Sequence, residues 1–262
     1  MPDWDKIQHP EQKSKEHGKK DAQHNEHERG LGGKRTPDVE KAKHGQLASV
    51  SQPLAGATIF PSYYYVASTP PVTDQGSTPQ CVAYADAYDQ NQHDRPELGR
   101  FNQLNHALFF QQIGGDSNGS YLYKALDQRQ AVGYPEKVSV PAAGGYPSQD
   151  ANVDTGTHRI ASSAEVALSV EALKNALYGR KHGILVIGPW FHSWFHPFAS
   201  GKLPAPDYEV GGHCTWWRGW NDTYGFRIRN SWGTDYGLSG DVFLPYAYLP
   251  RLWEAWVTTD TT

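Results

Sequence analysis

Gln75-Gly76-Ser77-Thr78-Pro79-Gln80-Cys81-Val82-Ala83-Tyr84-Ala85 is the stretch on which the reading of this chain turns. It has the form of a loop running into a helix. Thr78 offers an N-cap hydroxyl, and Pro79 suits the first helical position, where its missing N–H costs nothing. Ala83, Ala85 and Ala87 are small enough for close packing, which predicts a central helix. Cys81 then falls in the first turn, beside unpaired backbone N–H groups and the positive end of the helix dipole. That setting favours thiolate over thiol, and the same N–H groups suit a developing oxyanion. Taken alone, the stretch fits a buried, inert cysteine better, since free Cys is among the most buried residue types.

Around this stretch the chain has 262 residues, enough to bury a full core as one large domain or as two lobes sharing a cleft. A formal charge of −4 argues against nucleic acid as the main partner. Fifteen Tyr, nine Trp and nine Phe suit a packed interior. The two cysteines, Cys81 and Cys214, make no disulfide framework, so packing must supply the stability. No apolar run approaches the roughly 20 residues a bilayer requires, so no membrane partner is expected. Met1-Pro2-Asp3-Trp4-Asp5 lacks the basic and apolar regions of a signal peptide. The expected location is therefore cytoplasmic, or within a virus or phage particle.

Residues 1–56 form a polar, charged arm ahead of a domain spanning 57–262. Trp4, Ile7, Leu31, Val39, Leu47, Val50 and Leu54 are too scattered to build a core, so the arm is expected to be extended, disordered or ordered by a partner. Short helices are expected near 10–28 and 37–44. His9, His17, His24, His27 and His44 lack a cysteine or a tight cluster and read as a solvated arm, so no metal or other cofactor is expected.

In the domain, Ile59-Phe60-Pro61 and Tyr63–Val66 read as extended, followed by the Cys81 helix. Helices are expected at Leu104–Gln112, Tyr121–Gln130 and Val166–Tyr178, with a loop over 134–160. Gly183–Gly188 reads as a buried strand, and Cys214–Trp220, Tyr224–Arg229 and Asp241–Leu244 as short strands. Helices first and strands later predict an α+β layout with segregated lobes.

A nucleophilic cysteine requires a base and a group that orients the base. Glu209-Val210-Gly211-Gly212-His213-Cys214-Thr215-Trp216 supplies His213 at the opening of a strand. Arg229-Asn230-Ser231-Trp232-Gly233 supplies Asn230 to accept the imidazole N–H, and Trp232 to shield that bond. Each alone has a bland reading, as a structural histidine or a turn with a core tryptophan.

Together these motifs resemble the papain-like cysteine peptidases. Gln75-Gly76-Ser77 with Cys81 looks like that family's Gln-Gly-Ser-Cys-Gly-Ser-Cys-Trp-Ala segment. His213 follows Cys81 by 132 residues (213 − 81), within the family's window. Ser117-Asn118-Gly119-Ser120 resembles its Cys-Asn-Gly-Gly segment, and Asn230-Ser231-Trp232-Gly233 its asparagine motif. The resemblance spans about residues 58–250. It implies a two-lobed fold, with a helical lobe and a β-rich lobe flanking the cleft. It implies peptide hydrolysis through an acyl-enzyme, with Cys81 as nucleophile, His213 as acid and base, and Asn230 as orienter. Gln75 with the Cys81 N–H would form the oxyanion hole, and Asn118, Gly119, Ser120 and Gly212 would line the cleft for a peptide or protein substrate.

Thr78 and Ser117 stand where the family often has a disulfide. Pro79-Gln80 replaces Gly-Ser, and Val82 replaces Trp. Cys214 should point opposite to His213, into the core. Phe191, Trp194, Phe195 and Phe198 would either wall a specificity pocket or pack on one another. The rival reading is a catalytically weak or inactive structural component of a larger assembly, such as a phage particle, docked through residues 1–56.

Overall fold

The computed structural model describes residues 29–46, 59–136 and 158–260. The elements in chain order are β1 (Gly33–Lys34), α1 (Asp38–Lys41), β2 (Gly45–Gln46), β3 (Tyr63–Tyr65), α2 (Cys81–Leu98), α3 (His106–Gln112), β4 (Ser120–Tyr121), α4 (Leu122–Ala131), β5 (Ile160–Val166), α5 (Val170–Arg180), β6 (Ile184–Phe191), β7 (Glu209–Asn221), β8 (Gly225–Arg229), β9 (Asp241–Leu244) and β10 (Glu254–Asp260). The expected helix near 10–28, the histidines His9, His17, His24 and His27, and most of the 134–160 loop lie outside the described residues.

One sheet runs in the order β2-β5-β10-β6-β7-β8-β9, with β3 added to β7. It forms the β-rich lobe, and α2, α3 and α4 form the helical lobe, giving the expected two-lobed α+β fold. β6 shows how the sheet serves both cores. Its residues alternate, as strand geometry requires: Ile184 and Val186 enter the sheet-lobe core, and Leu185 and Ile187 the helical-lobe core. β7 does the same, with Trp217 on one side and Cys214 and Trp216 on the other.

α2 is central, as its alanines predict, and Ala83, Ala85 and Ala87 are buried. It is also polar: Asp86, Asp89, Gln90 and Asp94 are buried along it. Arg129 of α4 makes this tolerable. Its guanidinium donates to Asp86 (2.7 Å), Asp89 (2.9 Å) and Gln90 (2.8 Å), so one buried cation serves two carboxylates, and burial raises Asp86 to about 7.

The helix starts differently from the expectation. Cys81 is its first residue, and Gln80 at the cap position makes no side-chain capping bond. The Thr78 hydroxyl instead donates to the Gln75 carbonyl at 2.6 Å, closing a tight turn that holds Gln75. Besides the two-residue strands β1, β2 and β4, the longer strands β5 and β10 were not expected. They pair antiparallel from Ala255↔Val166 to Thr259↔Ser162. The strand β5 takes Ile160–Val166, so the following helix begins at Val170 rather than Val166. Ser169 caps it, accepting from the Ala172 N–H.

Residues 29–46 of the arm lie against the domain. β1 pairs in parallel with β4, and β2 pairs in parallel with β5. Composition understated this order because backbone pairing, rather than apolar burial, holds most of the segment.

Candidate active site

The Gln75 turn, α2, β7 and the loop after β8 converge on one cleft. Gln75 is pinned to that loop by its N–H donating to Ser231 O (2.8 Å), and by Gly233 N–H donating to Thr73 O (3.0 Å). The end of β8 is fixed in turn: Arg229 Nε donates to Asp241 Oδ1 at 2.5 Å, which sets the position of Asn230 next to it.

His213 stands within β7, not at its opening as expected, because the strand begins at Glu209. It is opposite Gly188 of β6. Its Nε2 bonds to Asn230 Oδ1 at 2.8 Å, and the same oxygen accepts the Ser231 N–H at 2.7 Å. An oxygen that accepts both bonds requires Nε2 to carry the proton. Nδ1 is left as the basic nitrogen, and it has no partner among the described residues. Trp232 stacks on the imidazole (4.7 Å, 29°), and Trp190 meets it edge-on (4.9 Å, 74°). Trp190 is a wall of the site that the motifs did not reveal. Its position in the β6 sequence gave no sign that it would face His213.

Cys81 is fully buried, and it and Cys214 are both free thiols in the helical-lobe core. The Cys81 sulfur faces the N–H groups of Cys214 and Gly32. Burial pushes its thiol up to about 12, outweighing those N–H groups. Burial likewise pulls His213 down to about 4, only partly offset by its bond to Asn230. In this state both groups are neutral at pH 7. The thiolate expected from the helix start is not favoured, because desolvation exceeds the dipole.

Burial has a visible cause: Arg29-Gly30-Leu31-Gly32-Gly33-Lys34 runs through the cleft as a strap. Gly30 N–H donates to Gly76 O (2.8 Å), Gly32 N–H to Gly212 O (2.9 Å), and Ser120 N–H to Gly32 O (2.8 Å). Gln75 Nε2 donates to Gly30 O at 3.1 Å and to Thr78 O at 2.7 Å, while Gln75 Oε1 accepts from Ser231 Oγ at 2.5 Å. Arg29 anchors one end, donating to Trp232 O (3.0 Å) and lying over the Trp232 and Tyr236 rings. Lys34 anchors the other on Asp116 at 2.9 Å. Beyond it, Thr36 N–H donates to Glu254 Oε1 at 2.9 Å.

Gly119, Ser120 and Gly212 therefore contact a peptide chain, the protein's own. Asn118 does not share that role here; it is exposed, and its N–H donates to Asp116 Oδ1. Of the aromatics after β6, Phe191 and Trp194 are buried in the sheet-lobe core, and Phe195 stacks on Trp232. Phe198 is exposed, so these four do not form one pocket.

A second polar cluster lies across α2. Asp89, His93 and His182 bring possible ligand atoms within 4.8 Å of one another. The two rings stack 4.0 Å apart at 23°, so their lone pairs run side by side rather than converging. One Asp89 oxygen already accepts from Arg129 and Thr258. The cluster fits a buried polar network better than a metal centre.

No protein-family profile matches the sequence, and no curated protein does. Solved structures do match. Xylellain, a cysteine protease from Xylella fastidiosa, superposes with a TM-score of 0.70 at 20% identity, covering 90% of this chain and 98% of that one. The fold is papain-like. Procathepsin B S9 from Trypanosoma congolense gives 0.67 at 16%, covering 88% and 87%. The bromelain protease from Ananas comosus, in complex with the inhibitor E64, gives 0.59 at 15%, covering 77% and 100%. On this papain-like fold, Cys81 starts the central helix and His213 lies on the facing sheet. Among the described residues, no helix is long and apolar enough to cross a membrane.

Proposed function

We propose that this chain is a papain-like cysteine peptidase, held latent by the Arg29–Lys34 strap. The observation that carries the reading is the His213–Asn230 pair. Its 2.8 Å bond under Trp232 leaves Nδ1 as the one basic edge of the ring, on a sheet that faces the helix start bearing Cys81. With the strap gone, water and substrate re-enter, and the thiol can pass its proton to His213. The thiolate attacks the substrate carbonyl carbon, and its oxygen takes up the charge at the Cys81 N–H and the freed Gln75 amide. His213 protonates the leaving amine as the C–N bond breaks, giving a thioester. It then removes a proton from water, which attacks the thioester, releasing the acid and regenerating the thiol. Asn230 holds the imidazole in the tautomer this cycle requires.

The carbonyl on the Gln75 amide belongs to Gly30, and the Gly32 N–H, two residues later, is spent on the Gly212 carbonyl. Several of the similar structures are themselves proforms or precursors by name.

The test is labelling with an epoxysuccinyl probe after the strap is displaced by substitution, in chains carrying wild-type residues, Cys81→Ser or His213→Ala at the site. Labelling is expected only with both Cys81 and His213 present. The adaptor reading is favoured by one observation, the neutral, covered sulfur. Failure of Cys81 to label in every strap-displaced variant would establish it instead.

A further inference from the structure

The strap reads Gly30-Leu31-Gly32-Gly33, and its glycines are forced by the cleft. A Cβ on Gly30 would lie 1.8 Å from Thr78 O, and one on Gly32 would lie 2.4 Å from Pro79 O. On Gly33 it would meet the Ile187 side chain at 2.9 Å and the His213 backbone at 3.0 Å. Most of these obstacles are backbone atoms, which cannot rotate aside as a side chain can. The opposing walls are glycine too. The Cβ positions of Gly119 and Gly212 are filled by Gly32 O (1.7 Å) and Gly33 O (1.9 Å). Backbone therefore meets backbone on both sides of Cys81. Leu31 alone has room; it packs over Gly211 and joins the edge of the sheet-lobe core.

The nearest wall to Gly32 is the Pro79 main-chain carbonyl, at 2.4 Å, which any residue at this position would carry; the proline side chain adds a second contact. Pro79 stands where the resembling motif has glycine, and its ring Cβ lies 2.8 Å from where a Gly32 Cβ would be.

Resting on the peptidase reading, we propose that the substrate is a peptide carrying two consecutive glycines after a leucine-like residue, a choice enforced by the main chain of Pro79 and His213 and by the Ile187 side chain. The walls are mostly this chain's own backbone, so a peptide that follows the strap's path past the sulfur meets the same limits. The strap itself carries the favoured sequence, Leu31-Gly32-Gly33.

The test uses the full chain with Gly32→Trp, which expels the strap, and Gly30→Trp as a second opened variant should the first misfold. Fluorogenic peptides containing Leu-Gly-Gly, Leu-Ala-Gly, Leu-Gly-Ala and Leu-Phe-Arg are compared by kcat/KM. Leu-Gly-Gly is expected to exceed either alanine peptide by at least about tenfold, the scale of one methyl group against a rigid wall. Adding Pro79→Gly should leave the glycine preference at the position facing it in place, because the nearest obstacle is the main-chain carbonyl of residue 79. Equal cleavage of the alanine or Phe-Arg peptides, abolished when Cys81 is alkylated, overturns the glycine rule and leaves the peptidase reading standing. No cleavage of any peptide and no Cys81 alkylation in both opened variants overturns the two together.

Discussion

Cys81 in the strapped chain should be almost unreactive, and opening the strap should restore it. Burial holds the thiol at about 12. At pH 7 that leaves a thiolate fraction of about 10⁻⁵, against about 3% for a free cysteine of pKa ~8.5. The difference is a factor of roughly 3,000 in the reacting species. Gly30→Val is the perturbation of choice. Its Cβ would meet Thr78 O at 1.8 Å and the Thr78 carbonyl carbon at 2.5 Å. The strap is held in the cleft by the bonds Gly30–Gly76, Gly32–Gly212, Ser120–Gly32 and Gln75–Gly30. At about 0.5–1.5 kcal/mol each, these four are worth on the order of 2–6 kcal/mol, comparable to the cost of such an overlap. The assay is iodoacetamide alkylation between pH 5 and 10, followed by mass spectrometry at Cys81. The native chain should react slowly, its rate rising about tenfold per pH unit up to pH 10 with no plateau. Gly30→Val should react at least about a hundredfold faster at pH 7. A native Cys81 that reacts as fast as a free thiol at pH 7, or a Gly30→Val chain no faster than native, refutes the reasoning. Cys214, buried in the same core, serves as an internal control and should stay unlabelled in both.

Two further outcomes are expected. Arg129→Met leaves Asp86 and Asp89 buried without their partner, 2.7 and 2.9 Å away in the native chain. It should cost about 3–5 kcal/mol in urea unfolding, and a loss under about 1 kcal/mol would show that the pairing contributes little. His213 is held at about 4 when folded against an ordinary value near 6.5. The stability it contributes is complete above pH ~6.5 and is lost as pH falls towards 4, because the unfolded chain takes up the proton first. His158, held above its ordinary value by Asp94 and Glu136 against the pull of burial, contributes with the opposite sign. The measurement is therefore a difference: between pH 7 and pH 4 the native chain should lose about 3 kcal/mol more stability than His213→Gln. Equal losses in the two chains would show that His213 is not buried neutral.

Local chemistry was legible in the chain wherever it is carried by short motifs. Cys81 at a helix start, Asn230 on His213 and Trp232 over their bond all follow from residue types at fixed spacing. Cys214 inside the core followed from strand alternation. The sequence by itself determined the α+β class and the order of the helical and β-rich lobes, because periodicity and turn residues are local properties. It could not show the strands β5 and β10, whose Ser, Thr and Glu residues become strand only by pairing with each other. It could not show that Thr78 would cap Gln75 instead of the helix. Above all, it could not place Arg29–Lys34. That segment has almost no apolar surface, so hydrophobicity says it should be free. Only the tertiary structure decided otherwise, because Gly119, Gly212 and the Gln75 turn, remote in sequence, present backbone groups to it across one cleft. The same closure decided the charge state of the site. A helix dipole favours thiolate, but only the folded chain shows how little water reaches the sulfur, and desolvation is the larger effect.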